Sequence, residues 1–125
     1  MPGTVGGSSY AAMGSFSGTI AAPSGTGVLA YYVFPFKSGR IGGFAASIAT
    51  AGTTTANVVD VQINGVSIFA NTADRPTAAI ATAGRTTQGS PTNKGLKYED
   101  LITIVGVTNG TGAANLTFSV ALEKA

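Results

Sequence analysis

Residues 58–69, VVDVQINGVSIF, alternate apolar and polar side chains up to an Asn-Gly pair and then return to apolar residues. Val59, Val61 and Ile63 share one face of this segment, because successive side chains of a strand point to opposite faces. Asn and Gly best tolerate the positive φ that both central positions of a type I′ turn require. The segment therefore predicts a tight β-hairpin with one buried face, and it places Asp60 on the solvent face.

Short apolar runs of the same kind recur along the chain, separated by clusters of Gly, Asn, Thr and Pro, and no segment has the length and period of a helix. The clearest runs are residues 28–36, 40–49, 101–107 and 115–123, and the Gly-Gly pair within the second predicts a bulge or bend. About seven or eight strands of this kind are typical of two packed antiparallel sheets. We therefore expect an all-β fold, an antiparallel β-sandwich that is jelly-roll-like, with an extended N-terminal arm.

The first 27 residues differ from the rest, since they are rich in Gly and Ser and carry few large apolar side chains. At 125 residues the chain fits one domain, which we place at residues 28–125, with residues 1–27 as the arm. Two interpretations of the arm stay open: a disordered terminus, or a segment that orders against a neighbouring protein. In the second case Tyr10, Met13 and Phe16 are its anchors.

Two segments between the strand patterns predict loops. In Asp74-Arg75-Pro76 the proline biases Arg75 toward an extended backbone, so the chain should leave the hairpin in a defined loop. Residues 79–97 are weakly patterned and predict one short strand and a long polar loop. Because long loops in a compact domain usually contact something, we expect residues 84–95 to contribute to an interface.

Charged side chains make up only 10% of the sequence, against about 25% in ordinary soluble domains. A weakly charged surface repels other molecules weakly, which favours self-association or a position against another protein. The net charge is +2, and the Lys and Arg residues are scattered along the chain rather than clustered as nucleic-acid binding requires. We therefore expect no nucleic-acid partner.

The sequence indicates no association with a membrane. Its most apolar run, residues 28–36, is much shorter than the ~20 residues of a membrane-spanning helix and contains Pro35. The N-terminal residues have neither the basic region nor the continuous apolar region of a secretion signal. Because the chain has no Cys, no disulfide framework is available to it.

The side chains that usually carry catalysis are sparse. The chain has no His and no Cys, which excludes a Ser-His-Asp arrangement and metal sites built on imidazole or thiolate. Its carboxylates are Asp60, Asp74, Glu99, Asp100 and Glu123. A calcium site at Asp74, or at Glu99 and Asp100, is chemically possible, but no Asp-x-Asp spacing supports it. We expect no enzyme, no catalytic residue, no cofactor and no metal ion.

Four aromatic residues, Tyr31, Tyr32, Phe34 and Phe36, are concentrated in one predicted strand. By alternation, half of them belong to the core. The other half can form either a platform on which sugar rings stack or a contact patch for a protein. The sequence leaves both alternatives open.

Two parts of the sequence together resemble a known module. The hairpin VVDVQINGVSIF followed by RPT, and the closing segment EDLITIVGVTNGTGAANLTFSVALE, are similar to a β-sandwich that recurs in structural proteins of tailed bacteriophages. The residues that carry the similarity are Val59, Asp60, Val61, Asn64, Gly65, Ile68, Phe69, Arg75, Pro76, Thr77, Leu101, Asn115, Leu116 and Thr117. A chain composed of this module and an arm looks like a small capsid decoration, or cement, protein.

The resemblance implies a non-enzymatic virion protein that is made in the host cytoplasm and stabilises the outer surface of the capsid shell. Its expected partners are the major capsid protein and further copies of itself, as a homotrimer. The candidate contact residues are Tyr10, Met13, Phe16, Arg75, Arg85 and Lys94. Two alternatives remain: a carbohydrate-binding β-sandwich of a host-recognition structure, and a structural component of the tail or neck.

Overall fold

The computed structural model describes residues 12–23 and 27–125, which form two five-stranded antiparallel sheets. The strands of the first sheet are β1 (Ala12–Ile20), β3 (Ser38–Thr50), β7 (Gly84–Arg85), β8 (Gly95–Lys97) and β10 (Ala114–Glu123). Their order is β1, β10, β3, and both short strands pair with β3 on the side away from β10.

The second sheet packs against the first. Its strands are β2 (Gly27–Val33), β4 (Asn57–Ile63), β5 (Val66–Ser67), β6 (Thr77–Ala78) and β9 (Leu101–Thr108). Their order is β2, β9, β4, and both β5 and β6 pair with β4. A short 3-10 helix, Thr72–Asp74, lies between β5 and β6.

The four strands at the start of the chain alternate between the two sheets, and the closing strands are inserted between them. β10 lies between β1 and β3 in the first sheet, and β9 lies between β2 and β4 in the second. This connectivity is the jelly-roll arrangement of a double-sheet sandwich. The prediction of an all-β, jelly-roll-like sandwich is therefore confirmed.

The core lies between the inner faces of the sheets and follows the alternation of the sequence. Every second residue of β10 is buried: Leu116, Phe118, Val120 and Leu122. The inner face of β4 contributes Val59, Val61 and Ile63, all buried as predicted. Burying a side chain of this size stabilises the fold by roughly 1.5–3 kcal/mol, so the alternating strands supply most of the apolar core.

The predicted hairpin turn is present, but its return strand is short. Asn64 and Gly65 have φ values of 51° and 83°, as a type I′ turn requires. β5 contains only two residues, because Ile68 and Phe69 then turn into the core, where both are buried. The Ile68 carbonyl accepts a hydrogen bond from the Thr92 N–H at 2.7 Å.

A bulge interrupts β3 at Gly42. Ile41 pairs with Leu122 and Gly43 pairs with Ala121, so Gly42 has no register partner of its own. The Glu123 side chain fills the space that a Cβ at this position would need. The bulge predicted from the Gly-Gly pair is confirmed.

Residues 12–20, which the sequence analysis assigned to an arm outside the sandwich, form its edge strand β1. This strand pairs with β10 over its whole length. Phe16 stacks on Tyr32 with ring centroids 5.3 Å apart and meets Phe118 edge-on at 5.0 Å. Small Gly and Ser residues separate the large side chains of β1, so the strand has no visible apolar alternation in the sequence. Residues 1–11 and 24–26 lie outside the described part of the chain.

The weakly patterned segment at residues 79–97 contains more regular structure than predicted. Two short strands, β7 and β8, occur where one was expected, and both extend the first sheet beyond β3. The loop between them also pairs with the second sheet through an isolated bridge between Thr77 and Thr87. This segment therefore covers one lateral side of the sandwich.

Candidate functional site

A buried ion pair joins the hairpin to the loop that follows it. Asp60 is fully buried, with 0% exposure. It accepts hydrogen bonds from Ser67 Oγ at 2.7 Å and from Gln62 Nε2 at 3.1 Å. Arg75 Nη2 lies 3.4 Å from Asp60 Oδ2. The prediction that Asp60 faces solvent is wrong, because the chain returns beside β4 and brings Arg75 over that face.

A second polar cluster holds the turn before β9. Asp100 Oδ2 accepts a hydrogen bond from the Lys97 N–H at 2.8 Å, and Asp100 Oδ1 accepts one from Asn64 Nδ2 at 2.8 Å. Asn64 Oδ1 in turn accepts a hydrogen bond from the Leu101 N–H at 2.9 Å. These bonds tie the tip of the hairpin to the start of β9.

The hydrogen bond from the Lys97 N–H lowers the pKa of Asp100 below its usual 3.8, with smaller contributions in the same direction from Asn64 and from the Lys97 charge. A folded-state pKa below the unfolded value means that the carboxylate stabilises the fold above about pH 4. That stabilisation is lost as the pH falls through the lowered pKa.

Replacing Asp100 with Asn is therefore expected to lower the free energy of unfolding by about 1–2 kcal/mol at neutral pH. The difference from the wild type should shrink as the pH falls below about 4 toward 3, because the unfolded wild-type chain then takes up a proton at Asp100 more readily than the folded chain, in which its pKa is lowered. Urea unfolding at both pH values measures this. Glu99→Gln, which changes the exposed neighbouring carboxylate, should alter stability by less than about 0.5 kcal/mol. A pH-independent effect of Asp100→Asn would contradict the assignment.

These contacts give three of the five carboxylates structural partners. Asp60 pairs with Arg75, Asp100 caps a turn, and Glu123 lies 3.4 Å from Arg40. Within residues 12–23 and 27–125, no three His, Cys, Asp or Glu side chains are grouped so that they could hold a metal ion. Asp60 and Asp100 thus hold the hairpin and the turn before β9, and Glu123 links β10 to β3.

The aromatic residues divide between core and surface as predicted. Phe34 is fully buried and Tyr32 packs against the core, whereas Tyr31 is 70% exposed and Phe36 is partly exposed. Phe34 and Phe36 meet edge-on, with ring centroids 5.5 Å apart. Tyr31 is therefore the aromatic side chain of this strand that is most available to a partner.

Within the described ranges, the structure does not bring five of the candidate contact residues, Met13, Phe16, Arg75, Arg85 and Lys94, together. Met13 and Phe16 are on β1 and pack against the core. Arg75 faces the buried Asp60. Arg85 and Lys94 lie at the opposite edge of the first sheet, beside β3. Tyr10 lies outside the described residues.

Two open depressions occur at the edge that contains Arg85 and Lys94. The first, of about 490 Å³, is lined by Arg85, Thr86, Thr87 and Gln88. The second, of about 370 Å³, is lined by Gly39, Arg40, Thr92, Lys94, Gly95 and Ala125. Both include residues of the loop at 84–95, which the sequence analysis expected at an interface.

Sequence reasoning missed an exposed apolar row along β2. Val28, Tyr31 and Val33 all project from this strand with more than half of their surface exposed. Val33 lies opposite Leu101 of β9, which is also partly exposed. The sequence analysis expected half of the aromatic residues of this run at the surface, but it did not predict that Val28 and Val33 are exposed beside Tyr31.

Comparison with known proteins identifies no relative of this chain. No family model matches it, and neither a curated protein nor a solved structure matches it. No helix within the described ranges is long and apolar enough to cross a membrane.

Proposed function

We propose that this protein is a non-enzymatic structural component of a tailed-phage virion, which binds the major capsid protein on the outer surface of the shell as a homotrimer. The resemblance of the hairpin and closing segments to phage structural modules supports the proposal. The jelly-roll sandwich also supports it, since this fold serves in viral capsids as well as in lectins. A fold alone does not assign a function, whereas the residues exposed on the surface decide which partners a protein binds.

The observation that carries the proposal is the contrast between two edges of the first sheet. One edge is β1, which contains no charged residue and lies beside the equally uncharged β2. The other edge consists of β7 and β8, with Arg85, Lys94 and Lys97 in or next to them. A protein that assembles with its own copies and also binds a second, polar surface needs two unlike edges of this kind.

The bound trimer would stabilise the shell by burying its own surface against neighbouring coat subunits. A standard protein interface buries about 1,600 Å². A symmetric trimer repeats each contact with the shell, so modest affinities at single sites combine into strong attachment. Arg85 and Lys94 are the residues assigned to the shell contact, where they would pair with carboxylates of the coat protein.

The experiment measures binding of the purified protein to particles produced by a phage whose gene for this chain has been deleted. Arg85→Glu combined with Lys94→Glu is expected to weaken binding at least tenfold, since reversed charges at an interface disfavour association by several kcal/mol. Val66→Glu with Thr111→Glu, which adds two carboxylates at exposed positions outside the first sheet and both depressions, is the matched control and should bind normally. Equal binding of both double variants would contradict the assigned shell contact, and failure of the wild-type protein to bind would contradict the proposed function.

The exposed ring of Tyr31 favours a second candidate, the carbohydrate-binding sandwich. Sugar faces stack on exposed aromatic side chains, and Tyr31 is 70% exposed. A glycan array separates the candidates. Glycan binding that is lost in Tyr31→Ala supports the second, and absence of binding to every glycan leaves the virion role as the proposal.

A further inference from the structure

We infer that the side of the sandwich formed by β1 and β2 is the surface through which copies of this chain associate. β1 and β2 are the outermost strands of their sheets. They occupy the same lateral side, where Phe16 of β1 stacks on Tyr32 of β2. We call this surface the β1–β2 side. The inference rests on the proposed homotrimer but not on the virion role, and it names the surface that builds the oligomer.

Among the residues that the structure describes, both strands of the β1–β2 side are open edges. β1 pairs with β10 and β2 pairs with β9, and neither pairs with a second strand in the ranges that the structure describes. The N–H and C=O groups on the free side of an edge strand form a template for another strand. Proteins usually protect such edges with Lys, Pro or a covering loop. The sequences of β1 and β2 contain neither Lys nor Pro.

The exposed side chains of β2 are apolar. Tyr31 is 70% exposed, Val28 61% and Val33 51%. Val33 lies opposite Leu101, so the apolar surface continues from the edge onto the outer face of the second sheet. Contiguous apolar surface of this kind is rare on proteins that stay monomeric and commonly marks an interaction site.

The distribution of charge identifies a second copy as the occupant. Residues 1–36 contain no Asp, Glu, Lys or Arg, and every charged side chain of the protein lies at Lys37 or beyond. A partner with charges at the contact would lose their hydration against the β1–β2 side without gaining an ion pair. Another copy brings no charge to the contact, and in a threefold ring the open edge of β1 in one copy can pair with the open edge of β2 in the next, since a cyclic trimer repeats one heterologous contact.

The dimensions of the β1–β2 side suit a stable contact. β2 has seven residues, which span about 23 Å at roughly 3.3 Å per residue, and packed sheets are separated by about 10 Å. Side chains on the two outer faces widen the lateral side from about 10 Å to about 20 Å, so it measures on the order of 500 Å² in projection. This approaches the ~800 Å² that each partner buries in a standard interface.

Introducing a charge on this side tests the inference. Sedimentation velocity at micromolar concentration should give the wild-type protein a mass of about 37 kDa, three times the 12.3 kDa of the chain. Tyr31→Lys and Val33→Lys should each sediment as a monomer. Each should keep the circular dichroism spectrum of the folded wild-type protein. Val66→Lys and Ile80→Lys are matched controls, because these side chains are comparably exposed, at 59% and 52%, but lie outside β1 and β2. Both controls should remain trimeric.

A thiol probe gives an independent measurement without disturbing the interface by charge. Because the chain has no Cys, Tyr31→Cys introduces a single thiol. Its alkylation should be about tenfold slower in the oligomer than after dilution to monomer, since thiol reactivity follows exposure. The Val66→Cys thiol should be alkylated at the same rate in the oligomer and in the monomer. If Tyr31→Lys remained trimeric, the assignment of the β1–β2 side as the contact would be wrong, but the homotrimer would stand. If the wild-type protein were monomeric at every concentration, the homotrimer would be wrong as well.

Discussion

Replacing Arg75 with Met is expected to lower the free energy of unfolding by about 3 kcal/mol. The substitution leaves the fully buried Asp60 carboxylate with only the neutral donors Ser67 and Gln62. Removing one partner of a buried ion pair typically costs about 3–5 kcal/mol, because the remaining charge keeps no counter-ion. Arg75 itself is 23% exposed, which places this case at the lower end of that range. Urea unfolding measures the change.

The Arg40–Glu123 pair provides a matched control. Its charged atoms are also 3.4 Å apart, but the two side chains are 25% and 28% exposed. The Glu123 carboxylate, unlike that of Asp60, keeps contact with water, so Arg40→Met should lower the free energy of unfolding by less, about 1 kcal/mol. A double-mutant cycle with Asp60→Asn and Arg75→Met isolates the coupling between the buried partners. Equal costs for Arg75→Met and Arg40→Met would show that burial is not the decisive difference.

Replacing Phe34 with Ala is expected to have the largest effect on stability, a loss of about 3–5 kcal/mol. Phe34 is fully buried where β2 ends, so its removal leaves a cavity that the surrounding sheets can only partly close. A loss of this size is a large fraction of the 5–15 kcal/mol that stabilises a typical domain. Thermal unfolding followed by circular dichroism should show a strongly lowered midpoint.

Phe36 is the matched control, since it has the same side chain, lies two residues away and is 37% exposed. Phe36→Ala removes the edge-on contact with Phe34, an interaction of about 0.5–1.5 kcal/mol, but leaves no enclosed cavity. Its effect should therefore be several times smaller. If Phe36→Ala destabilised the protein as much as Phe34→Ala, the assignment of these residues to surface and core would be wrong.

The parts of the fold that could be predicted are those that depend on residues close together in the sequence. The type I′ turn follows from Asn64-Gly65 alone, because the positive φ values are a property of those two residues. The alternation of β10 and the bulge at Gly42 are equally local. Such features are determined within a few residues of chain.

The parts that sequence reasoning missed depend on distant contacts. Asp60 has the spacing of a solvent-facing residue and is buried because Arg75, in a later loop, lies against it. β1 became a strand because β10, the last strand of the chain, pairs with it. No pattern within either segment specifies these partners.

The candidate contact surface was predictable only in part. The place of the loop with Arg85 and Lys94 in an interface was inferred from its length and polarity and stays a prediction. The alternation of the sequence indicated surface aromatic residues in the run at 28–36, but not the exposed valines Val28 and Val33, because their exposure follows from the position of β2 at the edge of a sheet. The order of strands in a sheet is set by the whole topology, which a single sequence does not encode locally.

We propose that this chain acts by non-covalent assembly on a capsid shell. The most direct measurement is the copy number of the chain relative to the major capsid protein in purified particles, combined with images of particles that carry or lack its gene. The account predicts a fixed ratio and trimeric density on the outer surface that disappears with the gene. Particles that contain none of the chain, or that carry it only at the tail, would contradict it.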